Sequence, residues 1–294
     1  MSGSIRNPIS VIIPTKDEER NIADCIKSVS WCGEIIVYDS ISSDHTIEIA
    51  QRLGANIVQR SFDNFATHKN WALDNIPFKH EWILLIDADE RVTSELRKEI
   101  NIAREKNNFE VYYIPRKNLF RGKWIRHGGW FPDYQLRFFR RGSARYEERI
   151  VHEHMVIEGQ AGYLQQPLIH HDFKGLERYF ERHNTYSSME AVEAFNILNK
   201  TKNSVQIDKG LQKARSWRRR GLKEFAYRFL PCRALVKFLW MYVFKCGFLD
   251  GRMGFRYCLL HAFYEYQVSL KLEELVDPDS PMHKKYRHYL ASDM

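Results

Sequence analysis

The sequence predicts an α/β fold followed by a helical C-terminal region, on three observations. Short apolar, β-branched runs alternate with helix-like stretches between Ile9 and Arg104, joined by short connections, which is the pattern of a largely parallel, helix-covered sheet. Polar residues collect directly after the strand-like runs, at Thr15, Asp39, Asp87 and Asp89, and ligands of open α/β sheets bind at the carboxyl ends of strands. Beyond residue 176 the pattern reads mainly helical.

Taken in order, Ile9–Ile13 is a buried strand ended by Pro14-Thr15. Residues 18–30 form a helix with Ile22, Ile26 and Val29 on one face. A second strand, 34–38, runs into Asp39. Ser42-Ser43-Asp44-His45-Thr46 is a turn and helix start with hydroxyl and carboxylate caps, and Gly54 stops the helix that follows. Asn56–Gln59 is a third strand, residues 66–75 a helix containing Lys69-Asn70-Trp71, and Trp82–Ile86 a fourth strand ending at Asp87-Ala88-Asp89-Glu90. Thr93–Arg104 is a helix. From 109 to 172 the pattern changes: Val111–Pro115, Gln135–Phe139 and Leu168–His170 read as strands, separated by Gly- and Trp-rich loops such as Trp124–Pro132.

The chain has 294 residues, 44% hydrophobic and 14% aromatic, enough for a full core and unlike a disordered composition. Five cysteines without CxxC spacing predict reduced thiols rather than a disulfide framework. Ile9–Ile13 is too short for a signal-peptide core, so a cytoplasmic protein is expected. Neither GxGxxG nor a Walker loop is present. The net charge of +8 is uneven: Lys209 to Arg256 holds thirteen Lys or Arg against Glu224 and Asp250, a local +11 that leaves about −3 for the rest. Such a segment fits a polyanionic partner, whether nucleic acid, anionic lipid or a phosphorylated substrate, or else a solvated helix face.

The central candidate is Asp87-Ala88-Asp89. Carboxylates bind a nucleoside diphosphate only through a divalent cation, Mn or Mg, which takes oxygen ligands and neutralises the departing diphosphate; the alternative is a structural cap. Asp39 suits the imide N–H of a uracil, or a turn cap beside Ser40 and Ser42. Lys69 suits a diphosphate as a point charge. Asp133, in WFPDYQLRFFRR, stands at a loop-to-strand boundary among aromatics, where a partly desolvated carboxylate rises in pKa and suits a general base. Gln135 and Arg137 share one strand face by period two. His152 and His154 point to one side of a strand and suit metal, phosphate or structural roles; His170-His171 is read as structural first.

Together these residues resemble the inverting family 2 glycosyltransferases of GT-A fold. The likeness rests on VIIPTKDEERNI, EIIVYDSISSDHT, THKNWAL and ILLIDADERV, and then on IPRKNLFRGKWIRHGGWFPDYQLRFFRRG and VHE. The second block and GFLDGRMGF look like the bacterial lipopolysaccharide core β-glucosyltransferases. The resemblance implies a Rossmann-like, mostly parallel sheet with helices on both faces. It implies a catalytic domain over 1–175 (donor half 1–105, acceptor half 106–175) and a basic, amphipathic, membrane-associating region over 176–294. It implies a UDP-sugar donor contacted by Pro14, Thr15, Glu18, Asp39, Lys69, Asp87 and His152, a divalent metal on Asp89 with Asp87 in support, and Asp133 as the base. A lipid-linked glycan is the implied acceptor, with a polyprenyl-phosphate or capsule glycan as the alternative. Two departures stand out: Ile41 replaces the glycine of a DSGSTD-like turn, and Lys16-Asp17-Glu18 stands where Asn-Glu is commoner.

Residues 238–244 (FLWMYVF) are too few to span a bilayer, which needs about 20 apolar residues. With Lys237 and Lys245 flanking, and Arg228 and Arg233 among Phe225, Phe229, Leu235 and Leu239, they predict a helix lying on an anionic membrane surface. The expected location is therefore peripheral, on the inner face of the plasma membrane, with no nucleic-acid partner and with apolar helices suited to pairing protomers. A nucleotidyltransferase using the same carboxylates, and a non-catalytic membrane or nucleic-acid binder, are the rival readings.

Overall fold

The computed structural model describes residues 7–147, 155–157, 159–171, 175–199 and 232–290. The expectations for His152, His154, Phe225, Arg228 and Phe229 lie outside these residues. The chain divides into two compact units, residues 1–126 with 130–173, and residues 127–129 with 174–294.

The first unit is built on a ten-stranded mixed sheet. Its donor-side strands are β1 (Asn7–Thr15), β2 (Cys32–Asp39), β3 (Asn56–Gln59) and β4 (Trp82–Leu85), all parallel, in the order β3-β2-β1-β4. Helices between the strands cover the sheet: α1 (Ile22–Ser28) and α2 (Thr46–Arg52) join parallel neighbours, α3 (Phe65–Asn75) crosses from β3 to β4, and α4 (Ser94–Lys106) follows the end of the parallel half. Alternation along β1 sorts the two faces. Ile9, Val11 and Ile13 pack with Ile22, Ile26, Ala50, Leu96 and Ile100, whereas Ile12 packs with Ala66 and Ala72 of α3 and with Ile76 just beyond it on the other face. Helices on both faces are thus observed, as expected.

Short strand β5 (Glu90–Arg91) follows β4, and the sheet then turns antiparallel. β8 (Asp133–Arg140) pairs with β4 and with β6 (Val111–Phe120), and β6 pairs in parallel with β12 (Leu168–His171), which pairs with β5. β7 (Lys123–Trp124) and β11 (Ala161–Tyr163) add to β6, and β9 (Ala144–Tyr146) with β10 (Met155–Ile157) makes a separate hairpin. The strands expected at 111–115, 135–139 and 168–170 are all present; the short ones carry too little periodicity to be read.

One element is shorter than expected. The helix read over 18–30 begins at Ile22, because residues 16–19 are claimed by the turn after β2: Asp17 takes φ +53°, its N–H donates to Ser42 Oγ (2.9 Å), and Glu18 N–H donates to Thr46 Oγ1 (2.7 Å).

The second unit is helical. Helix α5 (Gly175–Asn199) packs on α7 (Gly251–Val276) through Ala191, Val192, Ala194, Val268, Leu272 and Leu275, with Met282 of α8 (Pro281–Tyr286) closing the cluster. Lys271 Nζ, on α7, donates to Asn184 O and to the hydroxyls of Ser187 and Ser188 on α5, at 2.6–2.9 Å. Helix α6 (Arg233–Leu239) continues into a wider π turn, Trp240–Phe244, and is tied to α7 by Arg233–Glu265 (2.7 Å). Residues 127–129, read in sequence as part of the acceptor half, belong with this unit: His127 N–H donates to Asp250 Oδ2 (2.7 Å) and Gly128 N–H to Lys245 O (2.8 Å).

Candidate active site

The parallel strands deliver their polar ends to one edge. Thr15 and Asp39 lie opposite each other in register, and Thr15 Oγ1 donates to Asp39 Oδ1 (3.0 Å). Asp39 is 0% exposed. Its carboxylate also accepts the Ser42 N–H (2.8 Å) and the Ser42 hydroxyl, with Gln59 Nε2 at 3.5 Å. Asp39 therefore staples the turn after β2, and its carboxylate is engaged by protein donors on both oxygens. Ile41 keeps the backbone form of the glycine it replaces, at φ +60°. Pro14 and Glu18 are half-buried beside this turn; Glu18 accepts from Asn21 Nδ2 (2.8 Å), and its carbonyl begins α1.

The second cluster follows β4. Asp87 is ion-paired with Arg137 of β8, and the same Nη2 donates to Glu90 Oε1 (2.8 Å). Glu90 is 0% exposed and also accepts the Asp87 N–H (3.0 Å). Arg116 of β6 lies 3.9 Å from Glu90 Oε1 and donates through Nε (3.0 Å) and Nη2 (2.7 Å) to Asp133 Oδ2. Gln135 Nε2 donates to Asp133 Oδ1 (2.8 Å). An unbroken alternation of charge, Asp87–Arg137–Glu90–Arg116–Asp133, thus joins the residues after β4 to the expected base. Period two puts Asp133 and Gln135 on one face of β8, Arg137 is the extra residue where the β6–β8 register shifts, and the register sets Arg116 opposite Asp133. Asp133 enters this network ion-paired rather than alone among aromatics. Burial opposes charge on Asp87, but Arg137 and Lys69 outweigh it and hold that carboxyl well below the usual range. Burial pushes Glu90 up, against the pull of Arg137.

Asp89 faces a different partner. Its Oδ2 lies 3.3 Å from His170 Nε2, while His170 Nδ1 lies 2.9 Å from Asn118 Oδ1. His170 Nε2 and Asp89 Oδ2 thus face each other at the sheet edge. Among the described residues no cluster of three or more His, Cys, Asp or Glu stands ready to hold a metal ion. A carboxylate oxygen and an imidazole nitrogen are both metal-ligating atoms, so the pair would suit a divalent cation such as Mn²⁺ that drew its other ligands from outside the protein. Lys69, on α3, lies over the Tyr146 ring (4.8 Å) and within Coulombic reach of Asp87.

Sequence reasoning passed over Glu90 and Arg116 and gave His170 a structural role. A signal existed for the first two. Arg137 stands between Leu136 and Phe138 in an apolar strand, and a guanidinium buried there requires carboxylate partners nearby.

Polar strand ends, a carboxylate pair after the fourth strand and a further carboxylate on an antiparallel neighbour are gathered at one edge of the sheet as the candidate site. The profile of glycosyl transferase family 2 matches residues 10–171, and the chain belongs to that family; its fold is accordingly of the GT-A type. An uncharacterized glycosyltransferase of Rickettsia conorii is 36% identical over 113 residues, covering 38% of this chain and 39% of the relative. The chain thus spans about two fifths of the length of that relative. The lipopolysaccharide core biosynthesis glycosyltransferase LpsC of Rhizobium meliloti is 27% identical over 197 residues, covering 63% of this chain and 70% of the relative. Among solved structures, S. aureus TarS 1–349 in complex with UDP-GlcNAc covers 96% of this chain and 92% of its own, at 14% identity and a TM-score of 0.44.

Proposed function

We propose that the protein is an inverting glycosyltransferase that moves a hexose, glucose first among candidates, from a UDP-sugar to a hydroxyl of a lipid-linked glycan of the lipopolysaccharide-core kind, forming a β-linkage at the inner face of the plasma membrane. The observation that carries this reading is the charge chain from Asp87 to Asp133, which ties the donor motif to the expected base within one network. The name of the Rhizobium meliloti relative supports the acceptor class.

In this reading Thr15, Pro14 and Glu18 flank the uridine, and Asp39 receives the uracil N–H once Ser42 turns away. Lys69 meets the diphosphate. Asp89 and His170 hold a Mn²⁺ or Mg²⁺, with Asp87 kept ionised beside them by Arg137. When bound, the cation supplies Lewis-acid stabilisation of the departing nucleoside diphosphate. Asp133 Oδ1, released from Gln135, takes the proton of the acceptor hydroxyl. That oxygen attacks the anomeric carbon from the face opposite the diphosphate, and the C–O bond to phosphate breaks as the new one forms, inverting the α-linked donor.

The test is UDP release by the full chain from a panel of UDP-sugars with Mn²⁺ or Mg²⁺. Asp89→Ala is expected to lower turnover by about a thousandfold and to weaken Mn²⁺ binding, read by electron paramagnetic resonance in the presence of UDP. Asp133→Asn lowers turnover by about a hundred- to ten-thousandfold while leaving Mn²⁺ binding intact. Release of pyrophosphate from nucleoside triphosphates instead would move the protein to the nucleotidyltransferases.

A further inference from the structure

Helix α7 is apolar on two opposite sides. One side, Tyr257, Cys258, Ala262, Val268, Leu272 and Leu275, is buried within the helical unit. The other carries Phe255, Leu259, Phe263, Tyr266 and Leu270 at i, i+4, i+8, i+11 and i+15, a straight stripe in which every residue is 43–51% exposed. Helix α6 and its π turn carry a second stripe of the same kind: Leu235, Leu239, Val243 and Phe244 are 57%, 43%, 48% and 71% exposed. The two stripes lie on neighbouring helices held together by Arg233–Glu265 and by the edge-on packing of Phe238 on Phe255 (5.7 Å). Between them come Phe248 and Leu249, 47% and 60% exposed. A contiguous apolar face of this size marks a binding surface rather than ordinary exposure.

The charges around it decide what binds. Residues 232–256 contain Arg233, Lys237, Lys245, Arg252 and Arg256 against one acid, Asp250, which is buried on His127. Lys245, Arg252 and Arg256 are exposed at the rim of the face. A second copy related by two-fold symmetry would bring these like charges together, which costs energy. An anionic lipid surface accepts both the apolar side chains and the cations. Trp240, 52% exposed with Lys245 Nζ 5.3 Å from its ring centre, has the amphipathic character of residues at a lipid–water boundary. No described helix is long and apolar enough to cross a membrane.

We propose that α6, its π turn, the 247–250 turn and the outer stripe of α7 form one monotopic docking face that enters a single leaflet of an anionic membrane. The stripe on α7 and the pair Phe248-Leu249 widen the surface beyond the 238–244 run evident in the sequence. The proposal deepens the lipid-linked acceptor reading and rests on it only for its purpose. Its test contains no sugar donor, so it fails or succeeds independently of UDP release.

The experiment is flotation of the full chain with phosphatidylcholine vesicles and with vesicles that also contain phosphatidylglycerol, beside Phe244→Glu/Leu249→Glu and Lys245→Ala/Arg252→Ala. The wild type is expected to float with the anionic vesicles. The glutamate pair lowers the bound fraction by about tenfold or more, since each aromatic or leucine lost from an apolar medium is worth that factor. The alanine pair weakens binding only where phosphatidylglycerol is present. Unchanged circular dichroism shows that these exposed substitutions leave the fold intact. Brominated-lipid quenching of the wild type that disappears in Trp240→Phe places the face in the leaflet. Equal flotation of the glutamate pair and the wild type overturns the proposal. So does a wild-type dimer, seen by light scattering, that the glutamate pair converts to monomer without any lipid binding in either form.

Discussion

Two sets of carboxylates stand at one edge of the same sheet and are satisfied in opposite ways. Asp17, Asp39 and Asp44 are held mainly by neutral donors, backbone N–H groups and the hydroxyls of Thr15, Ser42, Ser43 and Thr46, with the exposed Lys16 3.6 Å from Asp17. Asp87, Glu90 and Asp133 are held by guanidinium groups that arrive from β6 and β8. The first set is a turn closed by neutral hydrogen bonds. The second is a charge lattice whose members depend on one another, and removal of any one leaves a neighbour buried and unmatched.

The largest expected effect comes from breaking the lattice. Arg137→Leu leaves Glu90 buried beside Asp87 without its main counter-charge, and urea unfolding is expected to show a loss of about 3–5 kcal/mol. A loss below about 1 kcal/mol would mean that Arg116 alone suffices to balance Glu90.

A middle effect separates the two sets by pH. The Ser43 N–H holds the Asp17 carboxyl below its ordinary value, and for Asp44 the Thr46 hydroxyl and the Glu19 and Thr46 N–H groups outweigh a burial that acts the other way. Carboxyls with lowered folded-state pKa values stabilise the fold above the unfolded value of 3.8 and lose that contribution as pH falls through the folded values. Asp44→Asn is therefore expected to flatten the acid side of a stability–pH curve below about pH 4 and to change little at pH 7 beyond a constant offset. Carbon-detected titration of the aspartate side chains gives the same answer directly: a midpoint for Asp44 at or above 3.8 removes the argument.

The smallest effect sharpens the comparison from within the turn. Ile41 is a β-branched residue in left-handed backbone, which costs about 1–2 kcal/mol, partly offset against glycine's larger chain entropy. Ile41→Gly is expected to raise stability by about 0.5–1 kcal/mol in thermal or urea unfolding.

The same contrast explains what was legible in the sequence. The parallel half follows from local pattern: each strand is a short apolar run and each strand end a polar residue, so Thr15, Asp39 and Asp87 fall where they were expected. The turn after β2 is local in its Asp39–Ser42 and Asp44–Thr46 bonds, but its bonds to Asp17 and Glu18 are not, and α1 begins later there than its pattern predicts. The lattice is not local. Arg116 and Asp133 meet only because β6 and β8 run antiparallel in one register, with an irregularity between Tyr112 and Tyr113 that no periodicity announces. His170 reaches Asp89 only because β12 joins the sheet between β6 and β5. A lone Glu90 after a DAD run reads as solvated charge until the strand above it proves to carry a buried arginine.

Asn70 joins helix α3 to β9. Its side-chain amide donates to Tyr146 O and accepts from Tyr146 N–H, both at 2.9 Å, so a helical residue completes the hydrogen-bond ladder of β9 as a strand neighbour would. The residue beside it is Lys69, whose ammonium sits over the Tyr146 ring. Helix α3 and the β9–β10 hairpin are therefore latched at two successive positions, like a hinge pin and its leaf. Two neighbouring residues of one helix thus fix the place of β9, one through its backbone and the other across its tyrosine ring.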